Sequence, residues 1–150
     1  MNAEWSEALG HAVRDVFEQL CFMLPADEGS PATERVSVEV VFRGARSGVL
    51  CVSLPASMVS KVAGAMLGED DPIELEEQHA AICELTNIVC GNALPLIAGE
   101  RGVCELDSPR ILAGTDAVGV APDAEVVVPL DEGVVLARIT FTSELEVGAA

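Results

Sequence analysis

The sequence predicts an α+β fold in which helices pack on an antiparallel β-sheet. Three observations predict it: helical periodicity in three segments, alternation of apolar and polar residues in other segments, and short turns that join neighbouring strand patterns into hairpins. The predicted elements follow the order α-β-β-α-α-β-β-β-β. Because 150 residues are enough to bury a core, we expect one domain that spans residues 1–150.

The first predicted helix covers residues 4–24, where apolar residues recur at helical spacing. A polar loop separates it from a predicted hairpin. Residues 35–43 alternate as a strand, residues 44–48 form a turn with glycine at each end, and residues 49–54 return as the second strand.

Two further helices are predicted after this hairpin. The first covers residues 56–67 and is ended by Gly68. The second is long and covers residues 73–94. Pro95 is expected to kink or end it, because proline lacks the N–H that a helix interior needs.

An acidic run, Glu69-Asp70-Asp71, lies between these two helices. Asp71 can cap the long helix, Pro72 suits its first turn, and nearby glutamates complement the positive end of its dipole. This structural explanation is the one we favour. The alternative is that the run forms a surface for a partner.

Four strand patterns complete the chain, at residues 103–106, 111–113, 125–130 and 134–142. Asp131-Glu132-Gly133 joins the last two as a hairpin turn. Residues 114–124 are predicted to form a loop, and residues 143–150 a loosely ordered tail.

Acidic residues dominate the charge of the chain, with 25 Asp and Glu against 8 Lys and Arg and a formal net charge of −17. Binding to nucleic acid or to an anionic membrane needs clustered cations, whereas the basic residues here are scattered. We therefore expect neither as a partner. Strong acidity can instead steer a protein towards a partner with exposed lysines, or it can simply keep the protein soluble.

The chain is expected to be cytoplasmic. Its apolar runs are shorter than the roughly 18 residues that a membrane span needs. Its first residues lack the basic region and apolar core of a signal peptide.

The cysteines are odd in number and form neither a Cys-x-x-Cys pair nor a Cys/His set with zinc spacing, so no metal site is predicted. They are Cys21, Cys51, Cys83, Cys90 and Cys104. We interpret them as small buried thiols in a reducing compartment. A reactive cysteine is the less favoured alternative, because no adjacent His or Lys would lower its pKa.

The long helix carries the most informative residues. At about 100° per residue, four of them fall in one narrow stripe: Ala80, Glu84, Asn87 and Gly91. Apolar residues on roughly the opposite side should face the core: Ile82, Leu85, Val89, Ala93 and Leu96. Glu84 and Asn87 should project outward together, since positions three apart share a helix face. Gly91 leaves room for another molecule to approach.

This stripe resembles a known family. Glu84 and Asn87 form a Glu-x-x-Asn motif, and Pro109 follows 22 residues after the asparagine (109 − 87 = 22). That pattern resembles the CheC/CheX/FliY family of chemotaxis phosphatases, and the flanking ELTN and GNA are close to the CheX form. Pro109 is interpreted as a turn residue. Asn92, nearer the core side, is interpreted as a structural hydrogen-bonding residue.

The resemblance implies a phosphatase that hydrolyses the aspartyl-phosphate of a CheY-type response regulator in chemotaxis or two-component signalling. Asn87 would orient a water, Glu84 would reach a lysine of the receiver domain, and Ala80 and Gly91 would belong to the partner-binding surface. The family needs no cofactor of its own, and Mg²⁺ is expected on the partner receiver domain.

Two residues depart from the family pattern. Ala80 stands where many members carry Asp or Ser, and Pro95 follows where related proteins usually continue the helix. These departures favour the alternative of a non-catalytic receiver-binding module of the same fold. A second Glu-x-x-Asn motif, found on the first helix of the CheC type, is missing because Cys21 stands three residues after Glu18.

A homodimer is also expected, because CheX proteins associate. Independently, residues 126–128 and 134–136 are strongly apolar strand segments near the C-terminus. An apolar strand at a sheet edge is a liability unless it is paired or covered, and a two-fold mate would pair it. The alternative is that both strands are central and covered by helices.

Overall fold

In a computed structural model, which describes residues 2–44, 46–99, 104–112 and 121–142, three α-helices pack on a six-stranded antiparallel sheet. The helices are α1 (Ala3–Cys21), α2 (Val59–Leu67, preceded by the 3₁₀ turn Ala56–Met58) and α3 (Leu75–Ala98). The strands are β1 (Arg35–Gly44), β2 (Gly48–Pro55), β3 (Cys104–Leu106), β4 (Arg110–Leu112), β5 (Ala124–Leu130) and β6 (Gly133–Phe141). The predicted fold class is confirmed.

The sheet is assembled from two hairpins. Strands β1 and β2 form one, β5 and β6 form the other, and β2 pairs with β6 to join them. The short strands β3 and β4 both pair with the outer side of β1, which gives the order β3-β1-β2-β6-β5 with β4 beside β3. Strand β5 is therefore an edge, whereas β6 is central.

The core lies between the sheet and the helices. Alternate residues of β1 and β2 are buried there, as the period of two in a strand requires. Helix α1 packs on β5 and β6. Helix α3 packs on β1 and β2, and it also contacts α1 and α2. By length and hydropathy alone, α3 could cross a membrane. Its apolar side is used here to cover the sheet and the neighbouring helices.

Helix α1 ends three residues earlier than predicted. Phe22 takes the left-handed conformation, with φ of 58°. Its N–H donates to the Glu18 carbonyl at 3.1 Å, and the N–H of Met23 donates to the Phe17 carbonyl at 3.2 Å. This termination was hard to predict, because the left-handed position after a helix usually carries glycine.

Helix α3 differs from its prediction at both ends. It begins at Leu75, and Glu74 is its N-cap residue, so the predicted cap by Asp71 is wrong. It continues through Pro95 to Ala98, where the N–H of Gly99 donates to the Pro95 carbonyl at 3.1 Å. Of the two outcomes expected at Pro95, a kink or an end of the helix, the second is therefore wrong. Buried packing of the preceding turn, including Leu94, holds the helix in place around the proline.

One residue of the predicted apolar side is misplaced. Leu96 is 58% exposed, while Leu94 is buried in the same turn. Helices α1 and α2 flank α3, so the buried part of its surface is wider than the side that faces the sheet. Near the C-terminal end of α3, this buried surface includes Leu94 and leaves Leu96 exposed.

The strand predictions are confirmed to within about two residues at each end. Most of the predicted loop 114–124, and the whole of the tail 143–150, lie outside the described residues.

Candidate functional site

The predicted stripe lies on the outer surface of α3. Ala80, Glu84 and Gly91 are exposed, and Asn87 is half-buried. The opposite side of the helix is closed by four of the predicted core residues: Ile82, Leu85, Val89 and Ala93, all buried. The helical phase read from the sequence is therefore correct for the stripe, and a rigid, well-packed helix carries it.

Asn87 is the unusual member of the stripe. Its Oδ1 is buried and finds no hydrogen-bond partner within the part of the chain that the structure describes. A buried acceptor without a donor costs about 1–3 kcal/mol, and native proteins contain few of them. Asn87 thus lies half-buried in the stripe, and its covered Oδ1 leaves part of the hydrogen-bonding capacity of the carboxamide unused in the free chain.

Glu84 presents a carboxylate one turn from Asn87. It is exposed, and no ion pair among residues 2–44, 46–99, 104–112 and 121–142 includes it. An unpaired carboxylate on an exposed helix face is ready to accept a charge-assisted hydrogen bond from a lysine or arginine of another molecule.

Gly91 leaves an open space beside these two side chains. A Cβ at this position would meet no atom within 4 Å. Glycine in a helix interior destabilises the helix by about 0.5–1 kcal/mol relative to alanine. No described residue packs against this position, so the space over Gly91 is open to another molecule.

Two other residues of the motif contribute less to the stripe. Pro109 lies between β3 and β4, half-buried, and β4 contacts α3. Asn92 is exposed, so its interpretation as a structural residue near the core is wrong. It projects to the side of the stripe instead.

Thiol chemistry finds no support in the described cysteines. Burial raises the pKa of Cys21 and of Cys51 to about 11, and it also raises the pKa of Cys83. These thiols are therefore protonated at neutral pH and poor nucleophiles. Nor do three His, Cys, Asp or Glu side chains of the described residues come together as they would around a metal ion.

The stripe thus offers one carboxylate, one carboxamide and open space above a glycine. A carboxamide can donate to and accept from the same water. It can therefore position a reactant, although the carboxamide is not itself a nucleophile.

Comparison with known proteins identifies the family. A family model described as "Chemotaxis phosphatase CheX" matches residues 36–130, which is more than half of the chain. The chain belongs to the CheX family. Its Glu84 and Asn87 lie inside the matched span. A search of curated proteins by sequence gave no significant match.

Solved structures of CheX proteins share the fold. A chemotaxis protein CheX from Desulfovibrio desulfuricans superposes with a TM-score of 0.73 at 17% identity, covering 93% of this chain and 99% of that one. A putative chemotaxis protein from Desulfovibrio vulgaris Hildenborough gives 0.73 at 19% identity, covering 94% and 98%. A CheX from Borrelia burgdorferi, in complex with CheY, BeF3 and Mg²⁺, gives 0.69 at 18% identity, covering 95% and 100%.

Proposed function

We propose that this CheX-family protein is a cytoplasmic phosphatase that hydrolyses the aspartyl-phosphate of a CheY-type response regulator. The observation that carries the proposal is the half-buried Asn87 carboxamide beside the exposed Glu84, with an acceptor oxygen that no described residue of the free chain satisfies. The complex of the Borrelia burgdorferi CheX with CheY supports the choice of partner. Purified protein should shorten the lifetime of a phosphorylated receiver from the same organism in the presence of Mg²⁺.

Asn87 is proposed to hold the attacking water. An acyl phosphate is already activated, and the receiver supplies the Mg²⁺ and a lysine at its own site, so this chain needs no metal. What remains is to place a water in line with the phosphorus. Positioning and electrostatics dominate phosphoryl transfer, so one well-placed amide has a large effect on rate.

Glu84 is proposed to fix the docking. Its exposed carboxylate would pair with the receiver's lysine, one helical turn from the water held by Asn87. Ala80 and Gly91 would lie above and below this pair in the contact surface. Their small side chains let the receiver approach the backbone of α3 closely.

The non-catalytic alternative has lost one of its two arguments. Pro95 does not end α3, so the helix surface extends past Gly91 to Ala98. Ala80 still departs from the common pattern. If a receiver binds this protein and the lifetime of the receiver's phosphoaspartate does not change, the protein is a non-catalytic binding module.

Variants at Gly91 separate docking from stability. Because a Cβ would meet nothing, Gly91→Ala should raise the free energy of unfolding by about 0.5–1 kcal/mol. Gly91→Leu should fold equally well but lose receiver dephosphorylation, since its side chain fills the space into which the receiver docks. Urea unfolding and a dephosphorylation assay on the same samples measure both effects. Full activity of Gly91→Leu would show that the receiver does not dock over this part of α3.

A homodimer is proposed through the edge strand β5. Part of this edge is already covered: the Glu125 N–H donates to Ser6 Oγ, and the Pro129 carbonyl accepts from Ala26. Val127 lies between them and is 52% exposed. Hydrogen-bonded and non-hydrogen-bonded positions alternate along the antiparallel pair of β5 and β6, so the backbone N–H and C=O of Val127 point away from β6. One antiparallel pair of Val127 residues around a two-fold axis would join the two sheets.

Light scattering coupled to size exclusion tests this dimer. Wild-type protein at micromolar concentration should have twice the 15.6 kDa mass of the monomer. Val127→Lys should be monomeric, because two lysines would meet at the axis. Leu75→Lys, a matched change at another exposed apolar residue, should remain dimeric. A wild-type mass of one chain throughout would reject the dimer and leave the phosphatase proposal intact.

A further inference from the structure

A hollow of about 650 Å³ lies on the helical side of the molecule, away from the stripe on α3. It is bounded by the end of α1, by α2 and by the segment that leads to α3. Its apolar lining comes from Phe22, Ala65, Pro72 and Ile73. Neither Glu84 nor Asn87 lines it, and its volume is within the range of about 300–1,000 Å³ typical of binding pockets.

Phe22 lines this hollow at a cost to the free chain. Its side chain is 77% exposed, so it contributes little to the core. Its φ of 58° is a conformation that favours glycine and that costs other residues about 1–2 kcal/mol. A large aromatic ring that is both exposed and strained is explained when something else covers it.

The rim of the hollow is acidic, with Lys61 among its lining residues as well. Glu69, Asp70 and Asp71 are exposed, and none of them forms an ion pair with another described residue. The nearby Lys61 is already paired with Glu132 at 2.8 Å. Because α3 begins at Leu75, the acidic run does not cap it; the residues that complement its dipole are Glu76 and Glu77 in the first turn.

We propose that this hollow docks a basic segment of a protein partner, one that places an apolar side chain against Phe22 between lysines or arginines. The acidic rim supplies the charge complementarity and repels nucleic acid and anionic lipid. A second copy of this chain does not fit the role, because its 8 basic residues are scattered and the chain is itself strongly acidic. The proposal does not depend on the phosphatase activity.

A labelled peptide of alternating lysine and leucine is the probe, titrated at physiological ionic strength by fluorescence anisotropy. Wild-type protein and Asn87→Ala should bind it equally, because the stripe is a separate surface. A peptide of alternating lysine and serine, with the same charge, should bind about tenfold more weakly or worse. Equal binding of the two peptides would overturn the proposal, since it would show attraction by net charge alone, and so would loss of binding in Asn87→Ala.

Variants of the hollow complete the test. Phe22→Gly should bind the lysine–leucine peptide about tenfold more weakly or worse, yet it should unfold at the same or a higher temperature, because glycine suits the left-handed conformation. The affinity of the double variant Asp70→Asn and Asp71→Asn for this peptide should fall by a similar factor. Its matched control, Asp27→Asn with Glu28→Gln, removes the same charge from the exposed loop after α1 and should retain wild-type affinity. Equal losses in the control, or unchanged binding by Phe22→Gly, would overturn the proposal.

Discussion

Replacing Asn87 with alanine should remove most of the acceleration of receiver dephosphorylation, a loss of about a hundredfold, while the protein becomes no less stable. The rate falls because the water is no longer held in line with the phosphorus, and loss of positioning alone has effects of this size. Docking should survive, because the Glu84 carboxylate and the open space over Gly91 are unchanged. The receiver concentration that gives half-maximal rate should therefore change little.

The stability of Asn87→Ala is an independent part of the same prediction. A buried acceptor without a partner destabilises a protein by about 1–3 kcal/mol, and Asn87→Ala removes one. Alanine is also the better helix former. Unfolding can be followed by the fluorescence of Trp5, the single tryptophan, which packs edge-on against Phe141 with ring centroids 5.1 Å apart. The melting temperature should be unchanged or higher.

Asn92→Ala is the matched control for Asn87→Ala. It makes the same chemical change on the same helix, at an exposed residue beside the stripe. It should keep both activity and stability. If Asn87→Ala were fully active, or if Asn92→Ala lost as much activity, Asn87 would not be the residue that orients the water.

Reversing the charge of Glu84 should have the second large effect. Glu84→Lys places a cation where the receiver's lysine must dock, so receiver binding should weaken by about 2 kcal/mol or more, a factor of roughly thirty. The loss should appear as a higher receiver concentration at half-maximal rate. Because Glu84 is exposed and unpaired among the described residues, the melting temperature should stay within a few degrees of wild type.

A control separates this effect from general electrostatics. Glu28→Lys makes the same change of net charge at an exposed residue of the loop after α1, which packs beside β5 and β6. It should leave receiver binding nearly unchanged at physiological ionic strength, since distant exposed charges are screened. If Glu28→Lys weakened binding as much as Glu84→Lys, the acidity of the whole protein would account for docking.

Local periodicity accounts for what the sequence predicted well. The phase of α3 follows from its apolar spacing, so the outward position of Glu84 and the inward position of Leu85 could be predicted before any tertiary structure was known. The two hairpins follow likewise from alternation and turn residues. The pairing of β2 with β6 has no such local signal, because it joins strands separated by three helical segments and three strands.

Tertiary contacts explain the predictions that failed. A helical wheel assumes one buried side, whereas α3 is flanked by α1 and α2, so Leu94 is buried in place of Leu96 and Asn87 is partly covered. Phe22 ends α1 in a conformation that its own identity disfavours. The unsatisfied Asn87 oxygen is likewise a property of the packed helix and has no sequence signature.

The decay of a phosphorylated receiver, measured with this protein present in much smaller amount than the receiver, tests the central claim most directly. The receiver should come from the same organism, carry its phosphoryl group on aspartate and be supplied with Mg²⁺. A catalyst acts on many receivers in turn, so the whole receiver population should lose its phosphate faster, and Asn87→Ala should return the decay close to the uncatalysed rate. An unchanged decay of every receiver of the organism, including one that binds the protein, would contradict the phosphatase and leave a binding module.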